Sequence, residues 1–194
     1  MPAKKSDVVE LKSIKLEVIK FKVVGDSPLI MHAWSEKAKR EMLEKQMKKA
    51  KTAKPAKNPQ EDYEQAFYRN EKGEPAFPTI AFKQAAVSAG GRFSDGLKMT
   101  ELRGSFFIIG ELVKIEGKPQ MREDMVRVGM GTADIRYRPE FKKWSAVIEI
   151  KYNADKISAE QIINLFNLAG FGVGVGEWRP EKDGQYGMFH VEEV

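Results

Sequence analysis

Arg179 and Trp178 stand side by side in a glycine-rich stretch near the end of the chain. It reads Ala169-Gly170-Phe171-Gly172-Val173-Gly174-Val175-Gly176-Glu177-Trp178-Arg179-Pro180-Glu181-Lys182-Asp183-Gly184-Gln185-Tyr186-Gly187. Six of the sixteen glycines fall between Gly170 and Gly187. Glycine lets a backbone reach φ > 0 and approach another chain closely. Main-chain N–H groups, a guanidinium and a flat ring together suit a phosphate backbone. The spacing Gly172-x-Gly174-x-Gly176 is not a dinucleotide fingerprint, because it follows a predicted helix and precedes a predicted strand. The lysine–hydroxyl pair of a P-loop is also missing. A plain hairpin tip would need fewer glycines, which favours a binding role.

A second segment, Phe77-Pro78-Thr79-Ile80-Ala81-Phe82-Lys83-Gln84-Ala85-Ala86, leads to Arg92 on the same predicted helix. A helix N-terminus beside Lys83 could hold phosphate. Taken alone, the segment reads better as a core helix with one solvated lysine. A third, Arg136-Tyr137-Arg138-Pro139-Glu140-Phe141-Lys142-Lys143-Trp144, interleaves basic and aromatic residues. That pattern suits stacked bases and paired phosphates. It equally suits a hairpin whose aromatics pack a sheet.

Catalytic groups are sparse. The two histidines, His32 and His190, have no carboxylate cluster in sequence that would make a zinc site. Glu123-Asp124 is one acidic pair, better read as a solvated turn than as a Mg²⁺ ligand. We expect no cofactor and no metal.

Charge is unevenly placed. Net charge is +5, and the segment from Ser35 to Lys57 holds nine basic residues and three glutamates, a local +6 that leaves −1 for the rest. One basic segment on a near-neutral body is the pattern of a polyanion-binding surface. Lys49, Lys51, Lys54 and Lys57 lack glutamates at i,i+4 and are the better candidates for phosphate contact. Apolar residues at 42% and charged residues at 31% describe a globular protein. Without cysteine, disulfides and thiolate metal sites are excluded. The chain shows no secretory signal and no apolar run long enough for a membrane, so the expectation is cytoplasmic.

These residues need positioning elements. Ile14 to Val24 reads as a strand with two apolar phases, which calls for a bulge near Val18-Ile19 or burial of both faces. Ser35 caps a predicted helix to about Lys51, with Glu36–Arg40, Glu41–Lys45 and Glu44–Lys48 as i,i+4 pairs. Glu61 to Tyr68 is a short predicted helix, and Thr79 to Phe93 a longer one. Ser105 to Ile115, Met125 to Val128, Ala133 to Tyr137 and Ser145 to Tyr152 are predicted strands. Ser158 and Gln161 form a capping-box pattern before a helix whose stop is Gly170. Gly187 to Val191 is the last strand. The order predicts an α+β fold, with helices on one face of an antiparallel sheet. We expect one domain over 1–194 with a basic helical insertion at about 35–68.

Two of these segments together resemble a known family. Phe77-Pro78-Thr79-x-x-Phe82-Lys83-x-Ala85, heading a helix that ends in Arg92, is similar to the Pro-Gly-Ser-Ser-Leu-Lys-Gly-x-Leu-Arg segment of the RAMP superfamily. These are RNA-binding proteins of CRISPR effector complexes. Gly174-x-Gly176-Glu177-Trp178-Arg179 with Gly184 and Gly187 resembles the family's C-terminal glycine-rich loop. Ser27-Pro28-Leu29-Ile30 resembles the Thr-Pro-Leu after its first strand. Thr79, Ile80, Trp178 and Pro180 depart from the pattern, as in a distant branch of the kind a phage or plasmid could encode.

The resemblance implies a ferredoxin-like (RRM-like) core that binds single-stranded RNA; we expect a single-stranded nucleic acid as ligand, RNA ahead of DNA, and no catalysis. It also implies self-association along the strand or membership of a multisubunit ribonucleoprotein. Lys83, Arg92, Arg179 and the N–H groups around Gly174 and Gly176 would contact phosphates. Trp178, Tyr137 and Trp144 would stack on bases, with Arg136 and Arg138 beside them. Endoribonuclease members use a histidine in the N-terminal region, so cleavage through His32 is one alternative. A structural or inhibitory interaction module, of the sort a phage encodes, is another.

Overall fold

The computed structural model describes residues 13–48, 56–94, 96–128 and 131–194. Its spine is β8 (Thr132–Asn153). One edge of β8 pairs antiparallel with β1 (Leu16–Gly25) and β2 (Leu29–Ile30); the other pairs with β5 (Phe106–Ile108) and β7 (Glu116–Val128). The last strand, β9 (Phe189–Glu192), joins β1, giving the order β9-β1-β8-β5. That antiparallel order, with a helix after β1 and another after β8, is the ferredoxin-like arrangement. Beside it, β3 (Tyr68–Arg69), β4 (Pro75–Pro78) and β6 (Leu112–Lys114) form a small second sheet.

The two apolar phases of β1 are two faces of one regular strand. Its register with β8 runs unbroken from Leu16↔Asn153 to Val24↔Ser145, so no bulge is present. Phe21 and Val23 enter the core with Ile19 packed against it, while Ile14, Leu16 and Val18 remain exposed. Opposite them Ala146, Ile148, Ile150 and Tyr152 point inward at the spacing of two that a pleated strand imposes.

Two helices cover the inner face. In α3 (Thr79–Phe93) the stripe Phe82, Ala85, Ala86 and Ala89 is buried. In α5 (Ala159–Gly172) Ile162, Leu165, Phe166 and Ala169 are buried, and Ser158 with Gln161 forms the expected capping box. Gly170 does not stop α5, which runs on to Gly172. A Cβ at 170 would lie 1.7 Å from the Phe189 carbonyl oxygen, so this residue lets the helix pass close to β9. A short α4 (Met99–Ser105) and β5 occupy the start of the predicted strand Ser105 to Ile115. Their boundary is where the helical Ser105 hydroxyl donates back to the Glu101 carbonyl.

The region 35–68 contains α1 (Glu36–Gln46) and α2 (Pro59–Gln65), capped by Ser35 and Asn58. Met42, Leu43 and Met47 on or just beyond α1 are exposed. Glu36 pairs with Lys39 at 2.6 Å rather than with Arg40. Lys49, Lys51 and Lys54 lie outside the described residues.

The two short strands expected around 125–137 are parts of one long hairpin, β7 with β8. Between Gly117 and Pro119 the ladder shifts register, with Trp144 opposite Gly117 and Phe141 opposite Pro119. The shift puts an extra residue on β8 at the exposed Lys142-Lys143 and reverses which face is apolar. No described helix is long and apolar enough to cross a membrane.

Candidate nucleic-acid interface

The groove-facing side of α3 carries Ile80, Lys83, Gln84, Val87, Ser88 and Arg92 at i, i+3/i+4 spacing, with Val87 and Ser88 buried at its base. It forms one wall of a groove of about 680 Å³. Val173, Gly174, Val175, Gly176, Glu177, Arg179 and Glu181 form the other. Two segments separated by some ninety residues of chain therefore converge on one cleft. Met99 and Arg103 of α4 and His32 complete its ends.

Many N–H groups of the loop between α5 and β9 are already engaged within the protein. The N–H of Gly174 donates to Ala169, that of Val175 to Gly187, that of Glu177 to Ile30, and that of Gly187 to Pro28. Tyr186 donates to Trp178 and Gly184 to Arg179. The donors are engaged because the loop folds against itself and against the turn after β1. Glycine is needed for that packing. At Gly176 (φ +80) a Cβ would lie 2.6 Å from the Ile30 carbonyl oxygen, and at Gly187 (φ +66) 1.7 Å from that of Val175. The loop thus brings mainly side chains to the groove, while the N–H of Gly176 has no acceptor among the described residues.

Lys83 makes no ion pair among the described residues. Its Nζ lies 3.7 Å from the centroid of the Phe107 ring, and burial pushes its pKa down. Arg179 donates through Nε and Nη2 to Glu181 Oε2 at 3.2 and 2.9 Å, and through Nη1 to the Gly176 carbonyl at 3.1 Å. Arg92 Nη2 reaches Glu181 Oε1 at 3.1 Å. Burial raises the Glu181 carboxyl, but Arg179 outweighs it and holds the group below the usual carboxylate range. Trp178 is 41% exposed at φ 55, an uncommon backbone for a bulky residue.

A second cavity of about 520 Å³ lies between α1, α2 and the hairpin, lined by Trp34, Met42, Lys57, Asp62, Asp134, Arg136 and Tyr137. His32 borders both cavities. Its Nδ1 is 3.5 Å from Glu177 Oε1 and its Nε2 is 3.2 Å from Arg136 Nη1. The hydrogen bond from His32 holds the Glu177 carboxyl below its ordinary pKa against the opposing effect of burial.

Three sequence expectations are corrected here. Trp144 is 3% exposed; its indole N–H donates to the Ser27 carbonyl at 2.9 Å and its ring packs on Phe82 and Phe189, so it has no face for a base. Arg138 is 4% exposed and faces Asp124 at 3.5 Å inside the hairpin, not a ligand. Lys57 is not unpartnered: Nζ donates to Asp134 Oδ1 at 2.6 Å and to the Ile135 carbonyl. Its partner is 77 residues away, beyond any i,i+4 search. Sequence reasoning overlooked Ser88 and Glu181. Gln84, Ser88 and Arg92 share the spacing i, i+4, i+8, which would have found Ser88. Nothing in sequence links Glu181 to Arg92.

The α+β fold that the sequence resemblance implied is shared with a solved structure. Among solved structures, the chain is similar to a protein in the Type III-B Cmr-beta complex bound to cognate target RNA. The TM-score is 0.54 at 10% identity, over 92% of this chain and 60% of that one. It is also similar to Cmr6 from Pyrococcus furiosus, with a TM-score of 0.46 and 12% identity, over 94% of this chain and the whole of the other. No protein-family model matches the sequence, and no curated protein matches it.

Proposed function

We propose that this chain binds single-stranded RNA in the groove between α3 and the α5–β9 loop, as a non-catalytic subunit of a multisubunit CRISPR-type ribonucleoprotein. The observation that carries the reading is the convergence of Lys83, Ser88 and Arg92 with Arg179 on one open cleft. Lys83, Arg92 and Arg179 contact phosphates, and the exposed Trp178 ring, next to Arg179 in the chain but outside the cleft lining, stacks on a base where the strand leaves the groove. Gly174 shapes the wall, and the N–H of Gly176 is left to donate to the strand. Arg136 and Tyr137 extend the surface into the second cavity past His32. The whole chain acts as one RRM-like domain, and the basic region 35–68 is its insertion. Self-association along the strand belongs to the same reading. The fold shared with a protein of an RNA-bound complex supports it.

The test is titration of a fluorescently labelled oligouridine, and its DNA counterpart, at low salt. RNA binds more tightly than DNA. Lys83→Ala with Arg179→Ala weakens RNA binding by about tenfold or more. It also flattens the log–log salt dependence by about 0.7 per lost phosphate contact. Absence of binding by the wild type, or a double variant that binds equally well, would sink the reading.

The endoribonuclease alternative stands second. It rests on His32 bordering both cavities, but Glu177 and Arg136 already engage both ring nitrogens. Incubating RNA with the protein in EDTA decides: cleavage lost in His32→Ala would promote the alternative.

A further inference from the structure

Glu181 is the least expected residue of the groove, because a carboxylate there repels the RNA that the groove is read to bind. Its surroundings explain its presence. Four hydrogen bonds converge on its two oxygens. Oε1 accepts from Ser88 Oγ at 3.2 Å and from Arg92 Nη2 at 3.1 Å; Oε2 accepts from Arg179 Nε at 3.2 Å and Nη2 at 2.9 Å. The donors come from two elements, α3 and the loop. Ser88 is buried, and the carboxylate itself is only 20% exposed. Two guanidiniums and a hydroxyl around one anion are what recognises a phosphate, and Arg forks match either oxyanion. The set carries two positive charges against one negative, so it retains an unmatched charge even when occupied.

We propose that Ser88, Arg92 and Arg179 form a phosphodiester site whose resting ligand is the chain's own Glu181 carboxylate, displaced by an RNA phosphate on binding. The inference rests on the RNA-binding reading and names the atoms that would receive the strand. A phosphodiester carries the same single charge and presents two free oxygens, so it meets the same donors one for one. The internal ligand is held on a short element, the 3₁₀ turn Pro180–Lys182, followed by Asp183 at φ 59. Lys182 and Asp183 are exposed, so the carboxylate can swing outward without unpacking the core. Glu177, the other carboxylate of the cleft, is different: it pairs with His32 and sits outside this donor set. Until a strand arrives, Glu181 keeps both arginines extended and oriented. It also penalises anions that cannot outcompete a tethered carboxylate.

The experiment is a salt titration of labelled oligouridine binding to the wild type, Glu181→Gln and Glu181→Ala, with melting temperatures recorded. Both variants are expected to bind RNA about fivefold more tightly, the equivalent of one partly exposed ion pair released. Because the strand displaces Glu181 in the wild type and meets the same arginines, the log–log salt slopes of both variants are expected to match the wild type's, the gain being an offset in affinity. In an Arg92→Ala background the gain shrinks. A merely structural Glu181 would lower the melting temperature when replaced without tightening RNA binding. Glu181→Gln keeps a carbonyl acceptor for Ser88, so it serves if Glu181→Ala fails to fold. Wild-type binding with equal or weaker binding by a folded Glu181→Gln overturns this inference alone. No binding by any form overturns the RNA reading with it.

Discussion

The hairpin and the groove use the same residue types to opposite ends. On one face of the hairpin, Arg122 donates to Glu140 at 2.7 Å and to Asp124 at 2.8 Å. Arg136 donates to Asp134 at 2.9 Å, and Arg138 lies beside Asp124. The Arg122 guanidinium also sits 4.8 Å over the Tyr186 ring. Burial lowers its affinity for a proton, but Asp124 and Glu140 outweigh that and raise it. Each arginine there has a carboxylate or an imidazole beside it, and the glycine loop closes over the set. In the groove, Arg92 and Arg179 share one carboxylate and Lys83 has none among the described residues, all facing an open cleft. What separates a structural charge ladder from a ligand surface is the count of partners and the access of solvent, not the abundance of arginine.

Breaking the ladder is expected to have the largest effect. Asp124→Ala removes the carboxylate 3.5 Å from the buried Arg138 guanidinium, leaving Glu177 to oppose the burial that drives its pKa down, and takes the acceptor of Arg122 Nε with it. Removing one member of a buried pair costs about 3–5 kcal/mol. Denaturant unfolding of the variant measures the loss. Affinity of the remaining folded protein for RNA should be unchanged, since Asp124 does not line the cleft. A stable Asp124→Ala protein would show that the ladder is not structural after all.

Trp144 and Trp178 sharpen the same contrast. Trp144→Ala removes a fully packed ring and is expected to cost about 3–5 kcal/mol of stability. Trp178→Ala removes a ring with a free face. It should change the melting temperature little and weaken RNA binding by the equivalent of about 1–3 kcal/mol, one stacked base. Measuring both quantities for both variants tests the assignment, and crossed results would reverse it.

Trp144 also shows where the sequence was readable. Ala146, Ile148, Ile150 and Tyr152 were assigned to one face by their spacing of two, and Trp144 continues that spacing. The basic residues on either side disguised it as a stacking platform. Arg136 and Arg138 were harder, because the ladder replaces apolar alternation with paired charges whose partners lie on another strand. The extra residue at Lys142-Lys143 also reverses the phase between the two halves of β8. Helices fared better. Thr79–Phe93 and the Ser158 cap depend on local contacts, and local contacts are what a sequence displays. The groove's walls were visible separately, yet the resting pair of Glu181 with Arg92 spans 89 residues and needed the fold to appear.

The mildest effect is expected where charges are paired but enclosed by neither protein nor ligand. His190 Nδ1 on β9 lies 2.6 Å from Asp26 Oδ1 in the turn after β1, with both side chains more than two-fifths exposed. Asp26 raises the imidazole pKa, slight burial opposes it, and Glu192 at 3.4 Å adds to the rise. A folded-state pKa above the unfolded one contributes stability at pH values below the unfolded pKa. That contribution fades as pH climbs through the folded pKa. The wild type should therefore melt slightly above His190→Gln in mildly acidic buffer, and the gap should close as the solution becomes alkaline. Solvent screening keeps it to a few degrees at most and added salt shrinks it further. A gap that widens with rising pH would mean that the imidazole is held neutral by its surroundings. Asp26 and β9 would then be joined through a neutral hydrogen bond, not a charge pair.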